Sequence, residues 1–285
     1  MHETTKRRRK SRSETLQSHY FQGDNGLESQ DPESPKCSPS NEQRTQPSGP
    51  TKSRFFPAQH IALDELLATP AFACFYNDFV QALVDLYRAK PILIQEHVAC
   101  DPWKVIVAVT LLNKTAGKQS IPVFFDIIDR WPTPDALAQA PLSLLHELVK
   151  DLGLGEVRST RLIALSQMYV EDPPVPERLR PSRGKMRLPC SSEGGLTDVK
   201  YPPTPISHLP GCGPYALDSY RIFCTGDDQW KSVLPRDKEL VKYLRWKWAF
   251  EEYRRWDPHR GPGDTIDLDY IRSMTAELNV AEISH

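Results

Sequence analysis

Three features of this 285-residue chain predict an all-α fold. Apolar residues recur at helical spacing from Ile61 onward. Sustained period-two runs and Asn-Gly turns are missing. Leu209-Pro-Gly-Cys-Gly-Pro214 reads as a tight hairpin between two helices.

The elements follow in order. Residues 1–54 are rich in Ser, Pro, Glu, Gln and Lys/Arg with almost no aliphatics, so they are expected to form a disordered basic and polar tail. Ile61, Leu63, Leu66 and Leu67 make one amphipathic stretch, and Phe75–Tyr87 a second. Trp103–Leu112 is nearly all apolar and reads as a buried core helix. Ile121–Trp131 follows, with Pro122 expected in its first turn. Asp135–Leu152 and Glu156–Tyr169 repeat leucine at helical spacing. Eight prolines then fall in 171–205, which reads as an insert. Its Arg178, Arg180, Arg183, Lys185 and Arg187 leave two readings open, a disordered insertion or a DNA-contacting one. Helical pattern returns at Pro214–Cys224, at Asp237–Tyr253 and at Ile266–Leu278. The domain proper is therefore expected over 55–285.

Composition limits the function classes. The longest apolar run, near Val105–Leu112, is too short to span a bilayer, and the polar, basic N-terminus does not resemble a secretory leader. No membrane association is expected. The cysteines at 37, 74, 100, 190, 212 and 224 include no C-x-x-C pair, so neither a zinc site nor an iron–sulfur cluster is expected. Reduced thiols and a nuclear or cytosolic setting fit this pattern. The run Lys6-Arg-Arg-Arg-Lys10 reads as a solvated charge cluster, a nuclear-import signal or a DNA-attracting arm. Residues 1–54 carry 10 Lys/Arg against 7 Asp/Glu, whereas the remainder carries 26 against 30. Any cationic face of the domain must be local.

The hairpin is the most informative segment. Leu209 anchors its entry, Gly211 and Gly213 permit a tight turn, and Pro214 suits the first position of the next helix. Unhindered N–H groups at a helix N-terminus can grip a phosphate. Asp237, about two dozen residues on, could place a carboxylate beside a gripped nucleic acid.

Further stretches carry a resemblance. They are Gln95-Glu96, Asp101-Pro-Trp-Lys104, Leu112-Asn-Lys-Thr-Ala-Gly-Lys118 with Ile121-Pro122, and Leu152-Gly-Leu154 with Arg158. Asp218-Ser-Tyr-Arg-Ile-Phe-Cys224 and Pro235-Arg-Asp237 complete the set. In this order the chain resembles the helix-hairpin-helix/Gly-Pro-Asp superfamily of DNA glycosylases. Within it, the similarity is to the catalytic domain of the methyl-CpG-binding-domain thymine glycosylase. The match runs from about residue 90 to 250, and no methyl-CpG-binding domain is visible.

The resemblance implies a two-lobed fold with the active site in the cleft. It makes Asp237 the catalytic residue, consistent with the need for a carboxylate where an N-glycosidic bond breaks and positive charge develops on the sugar. Its alternative is a helix-capping Asp. Asp218 reads as structural or capping, and Asp227 and Asp228 as turn residues. Tyr215 stands where bifunctional relatives have Lys, so no imine can form there and an abasic product is expected. It also matches a base-pocket residue, with a core tyrosine as the alternative. Gln95 matches a pocket glutamine whose amide suits the imide edge of thymine or uracil. Lys114 replaces an arginine that fills the space of the flipped nucleotide. Leu154, within Gly153-Leu-Gly155, resembles a wedge residue. Glu239 departs from a position that tends to be basic.

The expected activity is removal of thymine or uracil from G·T and G·U mismatches by a monofunctional, monomeric nuclear enzyme acting on double-stranded DNA. No redox or organic cofactor is implied. Such hairpins can hold a monovalent cation on carbonyls around His208–Gly213. The rivals are a catalytically silent DNA-binding protein and a glycosylase for another damaged base.

Overall fold

A helix that is apolar on every side can only sit in the middle of a domain, and α4 (Pro102–Leu112) does so, with Trp103 and Val105–Leu111 all buried. Asp101 caps it, accepting from the Trp103 and Lys104 N–H groups at 3.1 and 3.4 Å. The computed structural model describes residues 61–189, 196–226 and 228–283. The 1–54 tail with its basic run, Cys37, Cys190 and Asp227 lie outside the described residues.

Around α4 stand α5 (Gly117–Arg130), α6 (Pro134–Ala138), α7 (Leu142–Val149) and α8 (Gly155–Glu171). Together with the inner face of α9 (Pro214–Phe223) they enclose the first core, which includes Trp103, Phe124, Leu145, Leu165 and Leu217. The Trp103 indole N–H donates to Ser166 Oγ at 3.1 Å and ties α4 to α8. A second apolar region joins α2 (Pro70–Arg88), α10 (Lys238–Glu251) and α11 (Leu268–Ile283) through Leu86, Trp246, Ile271 and Met274. The Trp246 indole N–H donates to Leu86 O at 2.9 Å. A third cluster links the far end of α9 to α10 through Ile222, Trp230, Leu240 and Trp248. Short helices α1 (Leu63–Leu67) and α3 (Ile94–His97) complete the set. No helix of the described residues is long and apolar enough to cross a membrane.

Three local expectations are corrected. Pro122 lies inside α5 rather than in its first turn. The helix starts at Gly117 because the Gln119 and Ser120 N–H groups and the Ser120 hydroxyl all bond Ala116 O. The segment before Leu209 is a series of turns and not a helix, since Pro202, Pro203 and Pro205 remove donors and disfavour helical geometry before them. Leu209 is nonetheless buried in the first core.

The third correction concerns strands. Two antiparallel hairpins accompany the helices: β1 (Lys185–Pro189) with β2 (Leu196–Lys200), and β3 (Arg254–Asp257) with β4 (Gly261–Thr265). Lys185-Met-Arg-Leu188 does alternate, but over too few residues to stand out. Gly261-Pro-Gly263 reads as loop chemistry although its backbone pairs. The described part of the insert is thus ordered, with Met186 and Tyr201 in the first core.

Replacing Trp103 with Ala should cost about 3–5 kcal/mol, because it empties a large buried volume and orphans Ser166. Urea unfolding followed by circular dichroism measures this.

Candidate active site

Among the described residues, three non-glycine positions have positive φ, and two of them are Lys114 (φ 61°) and Leu154 (φ 52°). A left-handed conformation costs an L-residue roughly 1–2 kcal/mol, so the surroundings must impose it. Arg158 does this. Its side chain, almost wholly buried, donates to Leu152 O at 3.1 Å, Asn113 O at 2.8 Å and Thr115 Oγ1 at 2.6 Å. One guanidinium therefore clamps the residues flanking both tips. Lys114 is exposed, and Leu154 is 67% exposed despite being apolar. The core-leucine alternative for Leu154 is thereby removed.

The hairpin lies next to these tips. Gly211 has φ 86°, a conformation that favours glycine, and a Cβ there would come within 2.6 Å of Arg161 Cδ and push that side chain aside. Gly213 differs from expectation. Its φ of −88° suits any residue, and a Cβ would meet open space. Its consequence is accessibility. No side chain caps α9 at Gly213, so the first-turn N–H groups remain available to an anion. A cavity of about 170 Å³ is lined by Asn113, Arg161, Gly211, Gly213 and Tyr215, among others. Arg161 is thus a cation at the hairpin that sequence reasoning missed, although its spacing from Arg158 placed both on one helix.

Beyond Tyr215 lies a smaller cavity of about 80 Å³, lined in part by Lys185, Tyr201, Tyr215, Asp218, Arg236 and Asp237. Gln95 reaches this region from α3. Glu96 on the same short helix accepts from Lys90 Nζ at 2.6 Å and from the Tyr243 hydroxyl at 2.8 Å, which fixes α3 against α10. Gln95 is 2% exposed, and its amide donates to the Tyr215 hydroxyl at 2.9 Å. The surface-glutamine alternative does not hold. Burial, followed by the Asp237 charge, raises the Tyr215 phenol well above its ordinary value, which keeps it neutral.

Asp237 is the N-cap of α10. Its Oδ1 accepts from the Glu239 and Leu240 N–H groups, both at 3.0 Å, and Oδ2 takes no part in the cap. The cap orients the carboxylate while leaving one oxygen for other work. Glu239 is partnered by Lys238 at 3.5 Å and Lys242 at 3.3 Å. Asp218 is not a cap. It lies within α9, 5% exposed, and accepts from the Tyr201 hydroxyl at 2.7 Å. Burial pushes its carboxyl up to about 6, with the Tyr201 hydrogen bond and Arg221 pulling the other way.

The structure therefore brings Tyr215, Asp237 and the hairpin glycines into adjoining cavities that meet at Tyr215, with the buried Gln95 behind them bonded to the Tyr215 hydroxyl. Lys114 and Leu154 form a separate clamped pair, joined to the larger cavity through Asn113. Sequence reasoning also missed Tyr201, which sits in a segment whose composition reads as irregular.

Comparison with known proteins follows the same lines. No family model matches the chain. It is 29% identical over 187 residues to a thymine/uracil-DNA glycosylase of Pyrobaculum aerophilum, covering 65% of this chain and 69% of the relative. It is 30% identical over 129 residues to a thymine-DNA glycosylase of Aeropyrum pernix, covering 45% and 48%. A methyl-CpG-binding domain protein 4-like protein of Arabidopsis thaliana is 29% identical over 151 residues, covering 53% and 27%. The chain spans about half the length of the second relative and about a quarter of the third. The largely helical architecture and these similarities fit a helix-hairpin-helix glycosylase fold. The relatives it resembles are DNA glycosylases, two of them named for thymine.

Two predictions follow from the geometry. Leu154→Gly should raise stability by up to about 1 kcal/mol, since it relieves a left-handed residue and loses little buried surface; denaturant titration reads this out. Asp218 has a folded pKa above its unfolded one, so it weakens the fold as pH rises from about 4 through about 6. Wild type should lose on the order of 3 kcal/mol over that window relative to Asp218→Asn, measured by urea unfolding at a series of pH values.

Proposed function

We propose that this protein is a monofunctional DNA glycosylase that hydrolyses thymine or uracil from G·T and G·U mismatches in double-stranded DNA. The observation that carries the reading is Asp237, held through Oδ1 alone in a cavity shared with Tyr215, whose hydroxyl is bonded to the buried Gln95. The names of the archaeal relatives, a thymine/uracil-DNA glycosylase and a thymine-DNA glycosylase, support it.

The chemistry assigns a role to each residue. A base inside a duplex is unreachable, so the target nucleotide must leave the stack, which costs least at a mismatch. Lys114 fills the vacated space, and Leu154 wedges against the opposite guanine. The open first turn of α9, with Gly211 and Gly213 behind it, grips a backbone phosphate. Gln95 spends its N–H on Tyr215, which leaves its carbonyl to accept from the base's imide N–H. As the bond from C1′ to the base breaks, its electron pair leaves with the base and positive charge grows on the sugar. The Asp237 carboxylate stabilises that charge and takes the proton of the water that bonds to C1′. Tyr215 has no amine, so the product is an intact strand carrying an abasic site.

The reaction requires no redox or organic cofactor. Carbonyls around His208–Gly213 are where a monovalent cation would be held. The enzyme acts as a monomer in the nucleus, in keeping with the basic run Lys6–Lys10.

The test uses labelled duplexes carrying G·T, G·U, G·C or an alkylated base, followed by alkali. Wild type should give alkali-labile sites on G·T and G·U, and Asp237→Asn should lower the single-turnover rate by about 10²–10⁴-fold. Binding without cleavage on every duplex would favour the catalytically silent reading, and cleavage confined to the alkylated duplex would change the substrate. Strand breakage without alkali, with a borohydride-trapped adduct, would remove the monofunctional assignment.

A further inference from the structure

The β1–β2 hairpin reaches the catalytic side of the molecule and presents a charge arrangement that its own fold does not explain. Lys185 and Lys200 are directly opposite one another in the antiparallel ladder. Opposed residues share a face, and like charges placed so destabilise a strand pair. Both lysines are exposed, and neither has an ion-pair partner among the described residues. Lys185 lines the same cavity as Asp237.

The pair is held there firmly. Gly184, next to Lys185, packs so closely on α9 that a Cβ would come within 3.2 Å of Pro214 Cγ. Tyr201, next to Lys200, donates its N–H to Gly184 O at 2.9 Å and its buried hydroxyl to Asp218 at 2.7 Å. Asp198 on β2 pairs with Arg236, the neighbour of Asp237, at 3.4 Å. Met186 points the other way and is buried in the first core. The hairpin is therefore anchored on both sides of the two lysines, which stand opposed on one face without an ion-pair partner among the described residues.

We propose that Lys185 and Lys200 form a seat for a DNA backbone phosphate beside the extrahelical nucleotide. The insert is then a wall of the active site and a second phosphate grip, across the Asp237 cavity from the one at α9. The phosphate supplies the anion that the like-charged pair lacks, and its seating fixes the sugar relative to Asp237. This rests on the glycosylase reading for the presence of DNA in the cavity.

The test measures binding of a fluorescent duplex containing a tetrahydrofuran abasic analogue opposite guanine, between 50 and 200 mM KCl. Wild type is compared with Lys185→Ala/Lys200→Ala, alongside urea unfolding and single-turnover release from a G·T duplex. Losing the one seated phosphate lowers the salt slope by about 0.9, so the variant is about three- to fourfold less salt-sensitive over this range. The expected result is that reduced slope, slower release, and folding stability equal to or above wild type. An unchanged slope would overturn the seat. A borohydride-trapped adduct that disappears in Lys185→Ala would also overturn it, because Lys185 would then be a nucleophile. Failure of the glycosylase reading is separately visible, as a wild type that releases no base while the slope difference persists.

Discussion

The packing of α9 against α4 is the constraint on which the site depends. α4 is buried along nearly its whole length, and α9 lays Leu217 and Tyr220 into the same core. With that axis settled, the N-terminus of α9 becomes a fixed point that four segments must reach. Gly211 passes under Arg161, Gly184 presses on Pro214, Gln95 bonds Tyr215 and Tyr201 bonds Asp218. Two of these are hydrogen bonds, at 2.9 and 2.7 Å, and two are close approaches that leave little or no room for a side chain. A shift of the α9 axis would disturb all four together.

Strain is concentrated where the molecule meets the solvent. Lys114 and Leu154 are held left-handed by the buried guanidinium of Arg158. Burial has removed much of the water from that guanidinium, and three oxygens replace it. The two exposed side chains are consequently presented at fixed positions rather than on mobile loops. The opposed lysines of β1 and β2 follow the same logic with charge in place of backbone geometry. In both cases the proposed use of the arrangement is contact with a bound polyanion.

With no positive surplus on the domain, the DNA contacts proposed for it fall to local cations. The cations are local: Lys114 at a tip, Arg161 over the hairpin, Lys185 and Lys200 on the insert. The acidic residues of the site are each held by partners. Asp237 caps α10 with one oxygen, Glu239 is met by two lysines, and Asp218 is buried under Tyr201.

Local interactions were legible in the chain itself. The uninterrupted apolar run marked α4 as central, Leu-Pro-Gly-Cys-Gly-Pro marked a turn entering a helix, and Asp237 had both an N-cap's position and a catalytic carboxylate's type. These signals depend on residues within a few positions of each other. Contacts between distant segments were not legible. Nothing near Arg158 announces that it will hold residues 113 and 152 together, and nothing in a proline-rich stretch announces that Tyr201 will reach Asp218. The two hairpins escaped notice because their strands are short and their order comes from what they pack against. The sequence by itself determined the helices, the turn and the candidate acid, since these follow from local propensity and spacing. Which side chains converge on Tyr215, and that Lys185 and Tyr201 line the cavity of Asp237, came from tertiary packing, because such convergence is set across more than a hundred residues of chain.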